Sequence, residues 1–224
     1  GGSNLITNLS IISAMDGINL FYSGNTILSN LNIDTNKSSA EGINLDTSSY
    51  INISNVTITT SGTDATGIAL AVNEYSVNMS RINITTLGNA NGISVQFSSN
   101  NSLDNAIIKS GKNGILIAQS ESDYDIVVFD SIINASLNDT LFSTNSNKII
   151  NFTNVTLANN RIGFVFLSTA RLNVHWYLDA LANYTNSSLA GNVNVTARNV
   201  SGAIAFSQLT GSNGRITRQT VLSY

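Results

Sequence analysis

The chain has 224 residues, with ten Lys and Arg, thirteen Asp and Glu, a net charge of -3, and neither Pro nor Cys. Lack of Cys excludes a disulfide framework, a thiolate zinc site, an Fe–S cluster and a Cys nucleophile; the lone His175 excludes an HExxH pair; so few cations leave no nucleic-acid footprint. Asn (34), Ser (31) and Thr (21) take the place of charge, and an apolar share of 42% excludes a disordered tail.

The opening Gly-Gly-Ser-Asn reads as the start of a processed mature form or an excised fragment. Apolar runs such as Ile126–Phe129 and Gly163–Leu167 are far too short to span a bilayer, so no transmembrane segment is expected.

A repeat of about 25 residues then organises the chain. Gly17-Ile-Asn-Leu20, Gly42-Ile-Asn-Leu45, Gly67-Ile-Ala-Leu70, Gly92-Ile-Ser-Val95 and Gly114-Ile-Leu-Ile117 recur at spacings of 25, 25, 25 and 22. Gly163-Phe-Val-Phe166 is a later relative, and the stretch near Thr140-Leu-Phe-Ser143 is degenerate. A second column is centred on Asn8, Asn30, Asn55, Arg81, Asn105, Asp130 and Asn154. Two before, one after and three after each centre stand apolar residues, as in Ile53, Val56 and Ile58; only Ala106 and Ser131 are weak. Alternation on each side is the period of a strand. The phase breaks at the centre, so the strand must turn there. Asn tolerates the left-handed conformation such a turn needs. Stacked turns place Asn8, Asn30, Asn55, Asn105, Asp130 and Asn154 in one structural ladder. No coil can bury its inner face alone, so the coils stack. At about 4.8 Å per coil, seven coils make a rod on the order of 35 Å long.

These motifs resemble the right-handed parallel β-helix repeats of pectate-lyase-like proteins. The Asn/Thr-rich, charge-poor character is similar to β-helix modules of archaeal cell-surface proteins. The resemblance covers residues 1 to about 167 and implies an architecture more than a function.

After Leu167 the period stops. Leu172–Leu181 alternates Leu172, Val174, Trp176, Leu178 and Ala180 on one face, with His175 on the other as a surface residue. Asn192–Ala197 alternates again, and Gly211-Ser-Asn-Gly214 is expected to join Ala203–Leu209 to Arg215–Leu222 in an antiparallel meander. The stretch is similar to Ig-like, carboxypeptidase-regulatory-type modules. Such sandwiches need about 100 residues, so this one is short of strands. The expected class is all-β: a right-handed parallel β-helix of about seven coils over residues 1–167, then a partial Ig-like antiparallel β-sandwich over 172–224. Either the chain is cut or a neighbouring subunit supplies the missing strands, and the open first coil Leu5–Ile11 fits a truncated end and head-to-tail assembly equally.

Fifteen Asn-x-Ser/Thr sequons occur, against about eight expected from composition alone. Asn8, Asn55 and Asn154 belong to the ladder and read as unglycosylated. Asn36, Asn52, Asn78, Asn83, Asn100, Asn138, Asn151, Asn183 and Asn186 read as acceptors, making N-glycans expected partners. Asp16 and Glu41, each before a repeated Gly, stack one coil apart; Glu121, Asp123 and Asp125 alternate in one loop. Either is a weak Ca²⁺ candidate, with solvated charge the plainer reading and no cofactor otherwise expected. No paired carboxylates flank a sugar site by column, so no catalytic residue is assigned. Ile107 and Ile132 stand as an apolar step on the otherwise polar outward column Ser10, Asn32, Thr57, Asn83 and Thr156, and suggest a lateral contact. Tyr22, Tyr50 and Tyr75, about one coil apart, suggest a sugar-stacking strip or a packed stack. The expected function is a non-enzymatic, self-assembling, homo-oligomeric or homopolymeric subunit of an extracellular surface assembly, namely an S-layer, sheath or filament. The alternative is a carbohydrate-binding or carbohydrate-cleaving β-helix, an adhesin or lyase relative.

Overall fold

A computed structural model describes residues 3–72, 75–118, 126–143, 149–165 and 169–223. The described residues form strands and turns with no helix, in two compact units, Gly1–Asn173 and Val174–Tyr224.

The first unit is a parallel β-solenoid. Its long strands Asn4–Ser13, Thr26–Thr35, Ser49–Thr60 and Tyr75–Thr86 pair in parallel. The next coils divide the same path into two strands each: Asn101–Asp104 with Ile107–Ser110, Ile126–Phe129 with Ile132–Ala135, and Ile149–Thr153 with Thr156–Leu157. A second sheet stacks seven strands: Ile18–Phe21, Ile43–Asp46, Ile68–Leu70, Ile93–Gln96, Asn113–Ala118, Asn138–Ser143 and Ile162–Phe164. Between the first and last of these run about six full turns.

Register follows burial. Leu28, Ile53, Met79, Leu103, Val128 and Phe152 align coil upon coil. Ile33, Ile58, Ile84, Ile108 and Ile133 align on the other side of the bend, and all are buried. A one-residue slip would turn each column to solvent, so the register is strongly specified.

The bend itself is left-handed in every coil. Asn8, Asn30, Asn55, Arg81, Asn105, Asp130 and Asn154 have φ of 57°, 53°, 54°, 52°, 53°, 44° and 55°. Asn30 Nδ2 donates to Asn8 Oδ1 at 3.1 Å, Asn55 Nδ2 to Asn30 Oδ1 at 2.7 Å, and Asn154 Nδ2 to Asp130 Oδ1 at 2.5 Å.

The repeated Gly has a different cause. A Cβ on Gly17, Gly42, Gly67, Gly92 or Gly114 would lie 2.2–2.5 Å from Cγ2 of Ile33, Ile58, Ile84, Ile108 or Ile133. It would also lie 2.5–2.6 Å from the carbonyl oxygen of the next residue in the column. The two walls of the solenoid close on each other at this corner.

One expectation is corrected. Gly163 does not continue the Gly column. Leu141 pairs with Gly163 and Phe142 with Phe164, whose rings stack 4.8 Å apart. The column position after Gly114 belongs to Asp139, whose carbonyl oxygen is the one facing Gly114. Thr140–Ser143 is therefore a regular coil, and aligning the two rings sets the register of the last one. Phe166 lies outside the described residues.

The second unit holds antiparallel pairs, as expected of a partial sandwich. His175–Leu178 pairs with Gln219–Leu222, and Asn194–Arg198 with Ile204–Leu209. The Gly211–Gly214 turn forms, with Gly214 N donating to Gly211 O at 2.9 Å, but the strands that flank it pair elsewhere. The reason is local: Arg215 bridges Leu181, which carries the chain away from Leu209 after the turn. Trp176 is exposed rather than central, and the buried apolar residues are Val174, Ala190 and Ile216.

Candidate functional site

The outward face of the first sheet carries the predicted apolar step. Ile107 pairs with Asn83 on one side and Ile132 on the other, and Ile132 with Thr156. Ile107 and Ile132 are 44% and 47% exposed. Two adjacent β-branched side chains thus interrupt a column of Ser, Asn and Thr.

Next to them lies an open groove of about 670 Å³, lined in part by Thr85, Lys109, Asn134, Ser136, Asn159 and Arg161. It forms where the repeat loses residues. In three coils a buried Thr hydroxyl caps its loop: Thr35 to Ala40 O, Thr60 to Ala65 O and Thr86 to Ala90 O. Ser110 occupies the same column, but its loop is shorter, and its buried Oγ has no partner. In the following coil Asp139 replaces the repeated Gly and is fully buried. Its carboxylate accepts the N–H groups of Ala135 (3.0 Å), Asn159 (2.8 Å) and Arg161 (3.3 Å), and Asn159 Nδ2 at 3.3 Å. Arg161 Nη2 donates to Ala135 O at 2.9 Å. A buried carboxylate needs such donors to be tolerated, and in taking them it fixes Asn159 and Arg161 at the groove wall. No described residue lining the groove is Asp or Glu.

Three aromatic residues hold left-handed backbone at other bends of the solenoid. Tyr22, Tyr50 and Phe97 have φ of 51°, 58° and 46°. Bulky residues are seldom left-handed, and each costs about 1–3 kcal/mol there. The three tyrosines do not form one stack. Tyr50 meets Tyr75 edge-on at 5.9 Å, while Tyr22 meets Phe21 at 4.3 Å. Strain and exposure together mark Tyr22 and Tyr50, and sequence spacing alone carries no sign of the strain.

Asp16 and Glu41 do come together. Asp16 Oδ1 accepts the backbone N–H of Glu41 at 3.0 Å, and Asn19 Nδ2 donates to Asp16 Oδ2 at 3.4 Å. Burial, and then hydrogen bonding and repulsion from Asp16, push the Glu41 carboxyl up to about 6. Further along the column the acids give way to amides: Asn113 Nδ2 donates to Asn91 Oδ1 and Asn138 Nδ2 to Asn113 Oδ1. Asn138, expected as a glycan acceptor, belongs to a second Asn ladder. Glu121, Asp123 and Asp125 lie outside the described residues. Among the described residues no three His, Cys, Asp or Glu side chains gather as for a metal. His175 is half-buried, with Nδ1 enclosed and unpartnered.

Of the other sequons, Asn36, Asn52, Asn78, Asn83, Asn100, Asn183 and Asn186 are exposed; Asn78 Nδ2 donates to Asn52 Oδ1, and Asn151 Oδ1 accepts from Asn173 Nδ2. No described helix is long and apolar enough to cross a membrane.

No family model matches the chain, and no curated protein matches it. Among solved structures it is similar to the trypsin-treated form of QnrB1, a plasmid-mediated fluoroquinolone resistance protein. The identity is 11% over 76% of this chain and 92% of that one, and the TM-score is 0.19.

Proposed function

We propose that the chain is a non-enzymatic structural module of an extracellular surface assembly of archaeal type: an S-layer, a sheath or a filament. One observation carries this reading. Like side chains stack on like through the solenoid, in Ile, Gly and Asn columns, and the exposed Ile107–Ile132 pair interrupts the polar outward column of Asn32, Thr57, Asn83 and Thr156. Such a stack is stiff because each coil is hydrogen-bonded to the next along its strands. An apolar step on a polar wall suits lateral contact with another copy. The thin core of the second unit and its exposed Leu181, Leu189, Ile204 and Leu209 support completion of an Ig-like sandwich by a neighbour. Electron microscopy of native material tests the proposal. Ordered sheets or filaments are expected, and dispersed monomers would overturn it.

A second reading, a carbohydrate-binding module, is favoured by the strained, exposed Tyr22 and Tyr50. Pyranose faces stack on such rings. Affinity electrophoresis in polysaccharide gels should then show retardation that is lost in Y22A/Y50A, and equal mobility of both proteins would remove this reading.

A further inference from the structure

The fifteen sequons differ in what each side-chain amide does. In the solenoid, Asn55, Asn78, Asn138 and Asn154 donate Nδ2 to Asn30, Asn52, Asn113 and Asp130 of the adjacent coil. A glycan on any of these nitrogens displaces a ladder hydrogen bond and sets a large group between coils about 4.8 Å apart.

Two sequons of the second unit are built differently. At Asn186, Oδ1 accepts the N–H of Ser188 at 3.0 Å and its Oγ at 2.7 Å. At Asn199, Oδ1 accepts Ser201 N at 3.1 Å, Ser201 Oγ at 2.8 Å and Ala203 N at 2.9 Å. Among the described residues no other sequon joins its Asn oxygen to its own Ser or Thr hydroxyl. At Asn194, for comparison, Oδ1 accepts from Ser207, and the Thr196 hydroxyl bonds Ser207. Asn186 lies in a turn closed by Ser187 N to Tyr184 O at 2.9 Å, and Asn199 at the tip between Asn194–Arg198 and Ile204–Leu209. All four Asn and Ser residues are exposed, and Val200, the middle residue of its sequon, is 109% exposed. The Oδ1 atoms take up the turn's donors, and neither Nδ2 donates a hydrogen bond among the described residues.

We propose that Asn186 and Asn199 are the N-glycan acceptors of the folded chain, with a lipid-pyrophosphate-linked oligosaccharide as donor. In the transfer, Nδ2 forms a bond to the anomeric carbon of the sugar. The carbon–oxygen bond to pyrophosphate breaks, the lipid pyrophosphate leaves with the electron pair, and one Nδ2 proton passes to a base of the transferase. The biological setting rests on the surface-protein reading above. Glycans placed here leave the outward columns of the solenoid bare for lateral contact.

The test uses the full folded chain, made in a host without N-glycosylation. It is incubated with an oligosaccharyltransferase already active on its standard Asn-x-Ser/Thr peptide, together with a short lipid-linked oligosaccharide. Peptide mass spectrometry should find at least tenfold higher occupancy at Asn186 and Asn199 than at any solenoid sequon. S188A should abolish the first site alone and S201A the second alone. Comparable occupancy at any solenoid sequon, the exposed Asn36, Asn83 and Asn100 included, or none at Asn186 and Asn199, would overturn the proposal. Native material bare of glycan would count against the surface reading while leaving this result standing.

Discussion

A Cβ added to Gly42 would sit 2.3 Å from Cγ2 of Ile58, a buried side chain locked between neighbours of its own kind. Neither partner can give way cheaply, since the next Gly carbonyl is 2.6 Å from the same point. G42A should lower stability by about 1–3 kcal/mol through overpacking. At Gly24 the nearest atom to such a Cβ is 3.9 Å away, so G24A should change little. Urea unfolding of both variants checks the contrast, and equal midpoints would refute it.

The left-handed bend supplies a second prediction. Arg81 holds φ of 52° between Asn55 and Asn105 in the bend column. Asn bears this conformation better, and its amide could donate to Asn55 as Asn55 does to Asn30. R81N should stabilise the fold by about 1 kcal/mol. N55A should destabilise it by about 2 kcal/mol, losing ladder bonds while keeping the strain. Thermal melts of the two variants should move in opposite directions.

Asp139 is the organising group of the groove wall. D139A leaves the N–H groups of Ala135, Asn159 and Arg161 without their acceptor. One buried unsatisfied donor costs about 1–3 kcal/mol, so a loss of at least about 3 kcal/mol is expected. Hydrogen exchange should show the change concentrated at residues 135 and 159–161. A uniform loss across the solenoid would contradict the local role.

Stability should also depend on pH through Glu41. Its folded carboxyl titrates at about 6, above the ordinary 4.5, so the native state binds this proton more tightly than the unfolded chain. The associated stabilisation is complete below pH 4.5 and is lost as pH rises through about 6. Because the side chain is half-exposed, screening reduces the effect to about 1 kcal/mol. E41Q should flatten the slope over this window in urea titrations, and an unchanged slope would assign it to other groups.

I107E/I132E should leave the unfolding midpoint within about 0.5 kcal/mol of wild type, since both side chains are exposed. If these residues make the lateral contact, the double variant should remain dispersed where wild type forms ordered assemblies in electron micrographs.

Much of this architecture can be read from the chain directly. A 25-residue period, apolar positions three apart across Asn, and columns of like residues compel stacked coils, because no single coil buries its inner face. The bend column was legible because left-handed backbone selects Asn over nearly every other non-Gly residue. Other features depend on which surfaces meet. The repeated Gly faces Ile58 and its equivalents across the interior, at residue separations that local pattern does not encode. Gly163 imitates the motif, yet ring stacking of Phe142 on Phe164 sets the register two residues away. Asp139 carries no signal of its role in sequence, because the three backbone donors that hold it come from residues 135, 159 and 161. Sequence spacing separates the ladder sequons Asn8, Asn55 and Asn154 from the rest, and only the folded turns show that Asn186 and Asn199 bond the Ser of their own sequons. Periodicity is local and survives in one dimension; close approach, shared donors and side-chain direction exist only once distant segments are brought together.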